Sequence, residues 1–462
     1  MKKNRTEIFE TMPVPKAVMA MAIPTIISQL ISLVYNLADT FFVGQTNDPD
    51  QVAAVSLCFP AFMSLCIVSN LFGIGGGSLM SRSLGEKDPE KAKHTSAFSF
   101  YISIGVILIY SLTIAIFKKQ FLYLLGADES TYRYAVDYID YVLILGGIPS
   151  MLNMLLAHLI RSEGGAKYAS IGMSIGGVLN ILLDPVFILP WGLNMQTKGA
   201  AIATLISNTV ATLFLLIYIY RNRRTTVVSL DPRNISFRQD IPRSVFVIGF
   251  PASIQTALST VSNTVLNNLA SAYSASAMAA LGIVKKIDML PMNVTGGLSQ
   301  GVMPLLGYNY ASKNHDRMHK VSKYSRTLAV IFSLSCIALF ELIPGPIVSL
   351  FIKDPQTIAY ATDFLRIMPL ATPFMAMSFM ITSMFLATDQ GAKAMTLAIF
   401  RKGLIDVPLM YLMNSLLPLY GLLWVQPMVD VMSVGLAFAL YASFKKQLKQ
   451  QLAGSSPVSL DH

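Results

Sequence analysis

Residues 95–117, TSAFSFYISIGVILIYSLTIAIF, run for 23 positions without a charged side chain. As a helix rising 1.5 Å per residue they extend about 34 Å, enough to cross the roughly 30 Å of hydrocarbon in a bilayer. No water reaches backbone groups at that depth, so such a segment must close its own hydrogen bonds as a helix. Outward from it the pattern recurs as apolar blocks near 17–44, 52–82, 132–160, 168–189, 199–220, 244–270, 276–310, 324–344, 357–387, 394–417 and 420–444. With 95–117 they make twelve, and the chain reads as an all-α polytopic membrane protein of twelve transmembrane helices. Composition agrees: 53% of the 462 residues are hydrophobic and 13% are charged, against about 25% charged in a soluble domain.

An even number of spans returns both termini to one side. With the termini placed inside, the inside segments hold 24 Lys and Arg, while the outside ones hold only Lys118, Lys119, Lys198 and Lys353. That bias is the positive-inside signature and predicts cytoplasmic termini. The net charge of +10, which in a soluble protein would suggest a nucleic-acid partner, reads here as a record of orientation, and no nucleic acid is expected. Cys58, Cys66 and Cys336 lie within apolar blocks, without disulfide or metal-ligand spacing. Met1 to Met12 lacks the apolar core of a secretory signal. The longest connection, Arg221 to Arg243, reads as a solvated basic linker too short for a catalytic domain, and the five histidines are scattered. The chain therefore reads as a non-enzyme.

The sequence also matches itself at an offset of 226 residues. Ala53 and Ala54 meet Ala279 and Ala280, Gly75 meets Gly301, Lys87 meets Lys313, and Asp128 meets Asp354. Tyr134-Ala135 meets Tyr360-Ala361, and Gly165-Ala166-Lys167 meets Gly391-Ala392-Lys393. With one residue of slip, Pro24 meets Pro251 and Asn36 meets Asn263. Two pseudo-symmetric six-helix lobes follow: 1–220, a cytoplasmic linker 221–243, and 244–462 ending in a basic tail. Parallel repeats about an axis along the membrane normal are the plan of transporters that rock two lobes about a central cavity.

Carboxylates at mid-membrane cost several kcal/mol unless paired, neutralised or hydrated, so each is a candidate for function. Asp39 lies late in the first span, either facing the lumen or at its outer edge. Asp184 lies in the fifth, four residues after Asn180 and hence on the same helix face. Pro185 frees backbone carbonyls beside it, and such oxygens suit Na⁺ or a proton. The second half does not repeat the pair, since Asp39 meets Val265 and Asp184 meets the neighbourhood of Val407. Instead it offers Lys285, Lys286 and Asp288 in the eighth span, Arg401, Lys402 and Asp406 in the eleventh, and Asp430 in the twelfth. The first two clusters are either internal ion-paired networks or marks of shorter spans. Candidates for a substrate cavity are Tyr35, Asn36, Tyr138, Tyr141, Asn153 and the adaptable methionines Met151, Met154 and Met292.

Taken together, Pro24 to Gly44, Asn70 to Asp88, Arg161 to Lys167, Asn180 to Pro185, Gly199 to Ser207 and Gly421 to Asp430 resemble the multidrug and toxic compound extrusion family, in its bacterial MepA-like and DinF-like branch. The resemblance implies a two-lobe antiporter in the bacterial inner membrane that exports organic, often cationic, compounds against inward Na⁺ or H⁺. It needs no cofactor and functions as a monomer. It also implies a coupling site at Asp39, Asn180, Asp184 and Thr204, where Na⁺ would bind if Na⁺ is the ion, with a fourth-helix tyrosine matched by Tyr138 or Tyr141. The seventh-helix glutamate of NorM-like members has no counterpart, which argues against their C-lobe cation site. A lipid-linked-precursor flippase of related architecture is the alternative, with Lys285, Lys286, Arg401 and Lys402 as the residues to line a cationic cavity.

Overall fold

The computed structural model describes residues 2–454 apart from Asn47 and Gln239. Its helices are α1 (Lys2–Glu10), α2 (Val14–Gly44), α3 (Pro49–Gly85), α4 (Pro89–Ile116), α5 (Lys118–Leu124), α6 (Glu129–Ile139), α7 (Gly147–Ser162), α8 (Ala166–Ile188) and α9 (Gln196–Arg221). The second half adds α10 (Ile241–Ala270), α11 (Ala275–Ala311), α12 (His315–Leu342), α13 (Pro344–Ser349), α14 (Pro355–Ile367), α15 (Thr372–Ala387), α16 (Gly391–Ala398), α17 (Asp406–Leu416) and α18 (Tyr420–Gly454). Among the described residues, nine helical stretches are long and apolar enough to cross a membrane, and ten if the pair α6–α7, bent by 50°, is one span. The two that fall short of that apolarity, α11 and the run α16–α17, are those carrying Lys285, Lys286 and Asp288 and Arg401, Lys402 and Asp406. Both are continuous helical paths, so the charges lie along unbroken helical runs and do not end them.

Three spans are broken rather than straight. A π-helical turn, Asp140–Leu145, joins α6 to α7, a 3₁₀ turn at Met368–Ala371 joins α14 to α15, and a second π turn, Ile399–Ile405, joins α16 to α17. Such breaks occur where the regular hydrogen-bond ladder is interrupted, often at functional positions.

The repeat is visible in backbone detail. Lys87 and Lys313, 226 residues apart, both end a long helix in the left-handed region, at φ 61° and 59°. Asp128 and Asp354 cap α6 and α14 alike, accepting the Thr131 N–H at 2.9 Å and the Thr357 N–H at 2.8 Å. Local chemistry alone selects these ends, since a side-chain oxygen satisfies a helix's unpaired first-turn donors.

The halves meet near the side that carries the termini. Gly249 of α10 lies so close to α3 that a Cβ there would stand 1.9 Å from the Leu71 carbonyl oxygen, and one on Gly75 would stand 2.2 Å from that of Val245. Only glycine permits this approach. Ser78 Oγ donates to the Leu386 carbonyl at 2.6 Å and Asn70 Nδ2 to Thr256 Oγ1 at 3.0 Å across the same seam. In the opposite halves of α2 and α10, Asn36 and Asn263, equivalent under the repeat, are both exposed.

Two sequence readings change at the terminal side. The 221–243 connection is not simply solvated: Val228 joins the buried core of the first half, Tyr101 Oη donates to the Leu230 carbonyl at 2.7 Å, and Glu163 accepts from the Thr226 hydroxyl and the Val227 N–H. Its apolar Val227, Val228 and Leu230, interleaved with polar residues, supply the packing that a count of arginines conceals. Lys445, Lys446 and Lys449 belong to α18 itself and not to a tail; residues 455–462 lie outside the described residues. The polar N-terminus forms α1, seated on the second half. There Arg317 donates to the Phe9 and Met12 carbonyls at 2.7 and 2.6 Å, and Tyr308 Oη donates to Glu10 at 2.6 Å.

Candidate functional site

In the first half, four helices converge on the two acids. Tyr35 and Asp39 are one turn apart on α2, and Asn180 and Asp184 one turn apart on α8, so each helix presents both of its polar groups on one face. Asp184 is fully buried, with Asn180 and Thr204 of α9 only 2% and 3% exposed beside it. With the Asn180 amide oriented so that both of its ends are satisfied, Nδ2 donates to Asp184 Oδ2 at 2.9 Å and its oxygen accepts from the Thr204 N–H at 3.2 Å. Asp39 Oδ1 is sealed from solvent and, among the described residues, has no hydrogen-bond partner. The Tyr35 hydroxyl lies near Thr204 and within electrostatic range of both acids. Tyr138 of α6 also lies within range of Asp39, Tyr35 and Asp184. Tyr141 does not join them; the Lys198 ammonium stands 5.5 Å from its ring centroid.

The electrostatics of this cluster are uncompensated. Asp39 and Asp184 lie within range of each other, and among the described residues no cationic side chain bears on either. Two carboxylates in a dry interior cannot both hold bare charge, so the arrangement calls for a proton or a cation. Asp184, Asp39 and Thr204 supply oxygens, and the Asn180 amide faces Asp184 with its nitrogen, a set that suits protons or a hard monovalent cation.

The remaining cavity candidates scatter. Asn36 is exposed, its amide turned back to the Ser32 carbonyl at 2.7 Å. Met151 is fully buried in the first-half core, since α7 turns that face inward, so it packs and lines no opening. Met154 is half-buried with its sulfur 3.7 Å from Cys66 Sγ. Met292 is 47% exposed on α11. Asn153 Nδ2 donates to Asn208 Oδ1 at 3.2 Å, and Asn208 donates in turn to the Thr204 carbonyl at 3.0 Å. Asn208 escaped the sequence reading, although its place one turn beyond Thr204 was the available signal.

The second half solves its charges differently. Arg401 clasps Asp430 Oδ1 through Nε at 2.9 Å and Nη2 at 2.7 Å, and Gln426 Nε2 donates to Oδ2 at 2.8 Å. Lys402 Nζ reaches Asp406 Oδ2 at 2.6 Å and Gln426 Oε1 at 3.2 Å, and the Ser262 hydroxyl donates to the same Asp406 oxygen at 2.6 Å. Lys285 donates to Asn267 Oδ1 at 3.1 Å. Asp288 is half-buried on α11, within electrostatic range of Asp430. Asp406 thus takes the ion-paired alternative of its cluster, and Asp430, opaque in the sequence, is also a partner in a buried ion pair; Gln426 bridges the two. The two halves share a backbone plan and differ in charge: the first leaves Asp39 and Asp184 without counter-ions, while the second pairs Asp430 with Arg401 and Asp406 with Lys402 and leaves Asp288 without an ion pair among the described residues.

A family model described as MatE matches residues 24–186 and 251–412, one segment in each half. The chain is 32% identical over 448 residues to the multidrug export protein MepA of Staphylococcus haemolyticus, spanning 97% of this chain and 98% of that protein. It is 34% identical over 425 residues to MepA of Staphylococcus aureus, spanning 92% of each. Among solved structures it is similar to the outward-facing conformation of a multidrug resistance MATE family transporter, with TM-score 0.88 and 25% identity over 95% of this chain and 97% of that one. It is equally similar to a MATE in the straight conformation, with TM-score 0.89 and 25% identity over 96% and 98%.

Proposed function

This chain belongs to the MatE family, and on that premise we propose that it is a secondary active multidrug efflux antiporter, exporting organic, often cationic, compounds against inward H⁺ or Na⁺ by alternating access. The observation that carries this reading is the uncompensated pair Asp39 and Asp184, set against Asn180 and Thr204 in the first half alone. A cation or proton arriving from outside neutralises the pair and lets α2, α6, α8 and α9 draw together, which displaces drug. Reopening toward the terminal side, cytoplasmic by the positive-inside bias, releases the ion and readmits drug. The driving force is adequate: a tenfold gradient is about 1.4 kcal/mol per ion, and the membrane potential adds about 2.3 kcal/mol per charge per 100 mV. On this reading Tyr35 and Tyr138 position the acids and Asn208 extends the polar wall. The protein acts as a monomer in the bacterial inner membrane.

The flippase alternative loses two of its four cations, since Arg401 and Lys402 are tied to Asp430 and Asp406 and do not present free charge to a cavity. The test is ethidium efflux from proteoliposomes under an imposed Na⁺ gradient and then an imposed pH gradient, for wild type, Asp39→Asn and Asp184→Asn. One gradient is expected to drive efflux by the wild type, and both variants, still folded, are expected to lose it. Normal efflux from both variants would overturn the reading.

A further inference from the structure

Between α12, α15 and α18 a cleft of about 310 Å³ opens on the second half. Its inner walls are apolar: Val330 and Ile331 from α12, Met377 from α15 and Phe438 from α18. Ile331 and Phe438 are 56% and 40% exposed there, on helices long and apolar enough to cross a membrane. One or two turns nearer the terminal side, the cleft is rimmed by Lys323 and Arg326. Arg326 and Lys445 share one aromatic platform, each 4.8 Å from the Tyr441 ring centroid, and Arg326 Nη2 also meets the Tyr441 hydroxyl at 3.3 Å. The charges of Lys323, Arg326 and Lys445 all bear on His319, so they form one cluster; Asp316 is the carboxylate that also reaches that histidine.

These three cations are uncompensated, whereas some others on this side are paired. On the same side Arg82 pairs with Asp389, Lys91 with Glu86 and Lys93 with Glu90. Among the described residues Lys323, Arg326 and Lys445 have no carboxylate within ion-pair distance; Arg326 donates only to the Ser322 carbonyl and the Tyr441 hydroxyl. A rim of uncompensated cations above an apolar, membrane-facing cleft complements a molecule with an anionic head and a hydrocarbon tail. We propose that this cleft is a binding site for an anionic glycerophospholipid, with the phosphate held by Lys323, Arg326 and Lys445 and one acyl chain laid along Val330, Ile331 and Phe438. The size suits it, since ligand sites begin near 300 Å³.

The full chain, purified in detergent and offered phosphatidylglycerol or phosphatidylcholine, tests this by native mass spectrometry. Wild type is expected to retain one phosphatidylglycerol and to release phosphatidylcholine, and an excess of inorganic phosphate should not displace the lipid. Arg326→Gln and Lys445→Gln should each weaken retention about fivefold, the equivalent of about 1 kcal/mol per cation at an anionic surface. Lys91→Gln with Lys93→Gln should leave it unchanged. A second measurement needs no charge removed: fluorescence of Phe438→Trp, corrected for the native tryptophans, should be quenched by brominated phosphatidylglycerol and not by brominated phosphatidylcholine. Equal retention of both lipids, an equal loss in the Lys91/Lys93 variant, displacement by phosphate, or equal quenching would overturn the proposal.

Discussion

Arg82 near the end of α3 and Asp389 beyond α15 close the seam between the halves with an ion pair of 2.9 Å. The arginine side chain is 10% exposed and the aspartate 45%, and Arg82 Nε and Nη2 have no other partner. On the proposed alternating-access cycle the pair persists only while the terminal side is shut, because opening would separate α3 from the turn that carries Asp389.

Asp389→Asn should therefore shift the population toward the form open on the terminal side. A partly exposed pair contributes about 0.2–1 kcal/mol, so the shift should reach at most about fivefold. Distances between spin labels on the 86–88 and 312–314 turns would report it, and a double-mutant cycle with Arg82→Gln isolates the pair. Unchanged distance distributions would remove the latch.

Gly249→Ala should act more severely on the same equilibrium. Its Cβ would meet the Leu71 carbonyl at 1.9 Å, and a backbone oxygen inside a helix has nowhere to move. The variant should insert and fold, remain open at the seam, and lose efflux. Label distances like those of wild type would contradict this.

Breaking the Arg401–Asp430 pair should cost stability more than transport. Removing one partner leaves a buried charge without compensation, about 3–5 kcal/mol, whereas replacing both with apolar residues of similar volume can be neutral. Arg401→Gln should lower the melting temperature in detergent markedly, and Arg401→Met with Asp430→Leu should recover most of the loss. Equal melting of single and double variants would sink the argument.

Asn180→Leu removes the donor to Asp184 Oδ2 and the acceptor facing Thr204. Stranding a buried polar group costs about 1–3 kcal/mol, so ion-driven efflux should fall by at least fivefold while passive dye uptake stays unchanged. Wild-type efflux would show that the amide has no part in the site.

Low pH should loosen the cap of α6 in a defined window. Hydrogen bonds from the Thr131 side chain and N–H, then from Ser130, hold the Asp128 carboxyl below its usual value, at about 2. A depressed acid stabilises the fold above its unfolded value and loses that contribution as pH falls toward the folded one, here between about 4 and 2. Protection of the first-turn amides of α6, measured as exchange relative to the unstructured-peptide rate at each pH, should fall across that window in wild type and be low throughout in Asp128→Ala.

Much of this was legible from residues alone. The span count, the repeat and the sorting of basic residues depend on local hydropathy and on charge, which the bilayer reads segment by segment. The spacings Tyr35 to Asp39 and Asn180 to Asp184 are settled by helix geometry, so each pair was bound to share a face. Which helices then face one another is not local. Tyr138 comes within electrostatic range of Asp39 while Tyr141 lies beneath Lys198, because three residues along a helix near its π-helical turn change the neighbour. Asp430 looked much like Asp39 and Asp184 in sequence, an acid in an apolar run, whereas Asp406 stood one turn from Lys402. Only the packing of α18 on α16 and α17 brings Arg401 and Gln426 to Asp430, whereas no cation is brought to Asp184. Sequence determined where charge was buried; tertiary structure decided which charges were left uncompensated, because electrostatic compensation depends on distances between helices that the chain order does not specify.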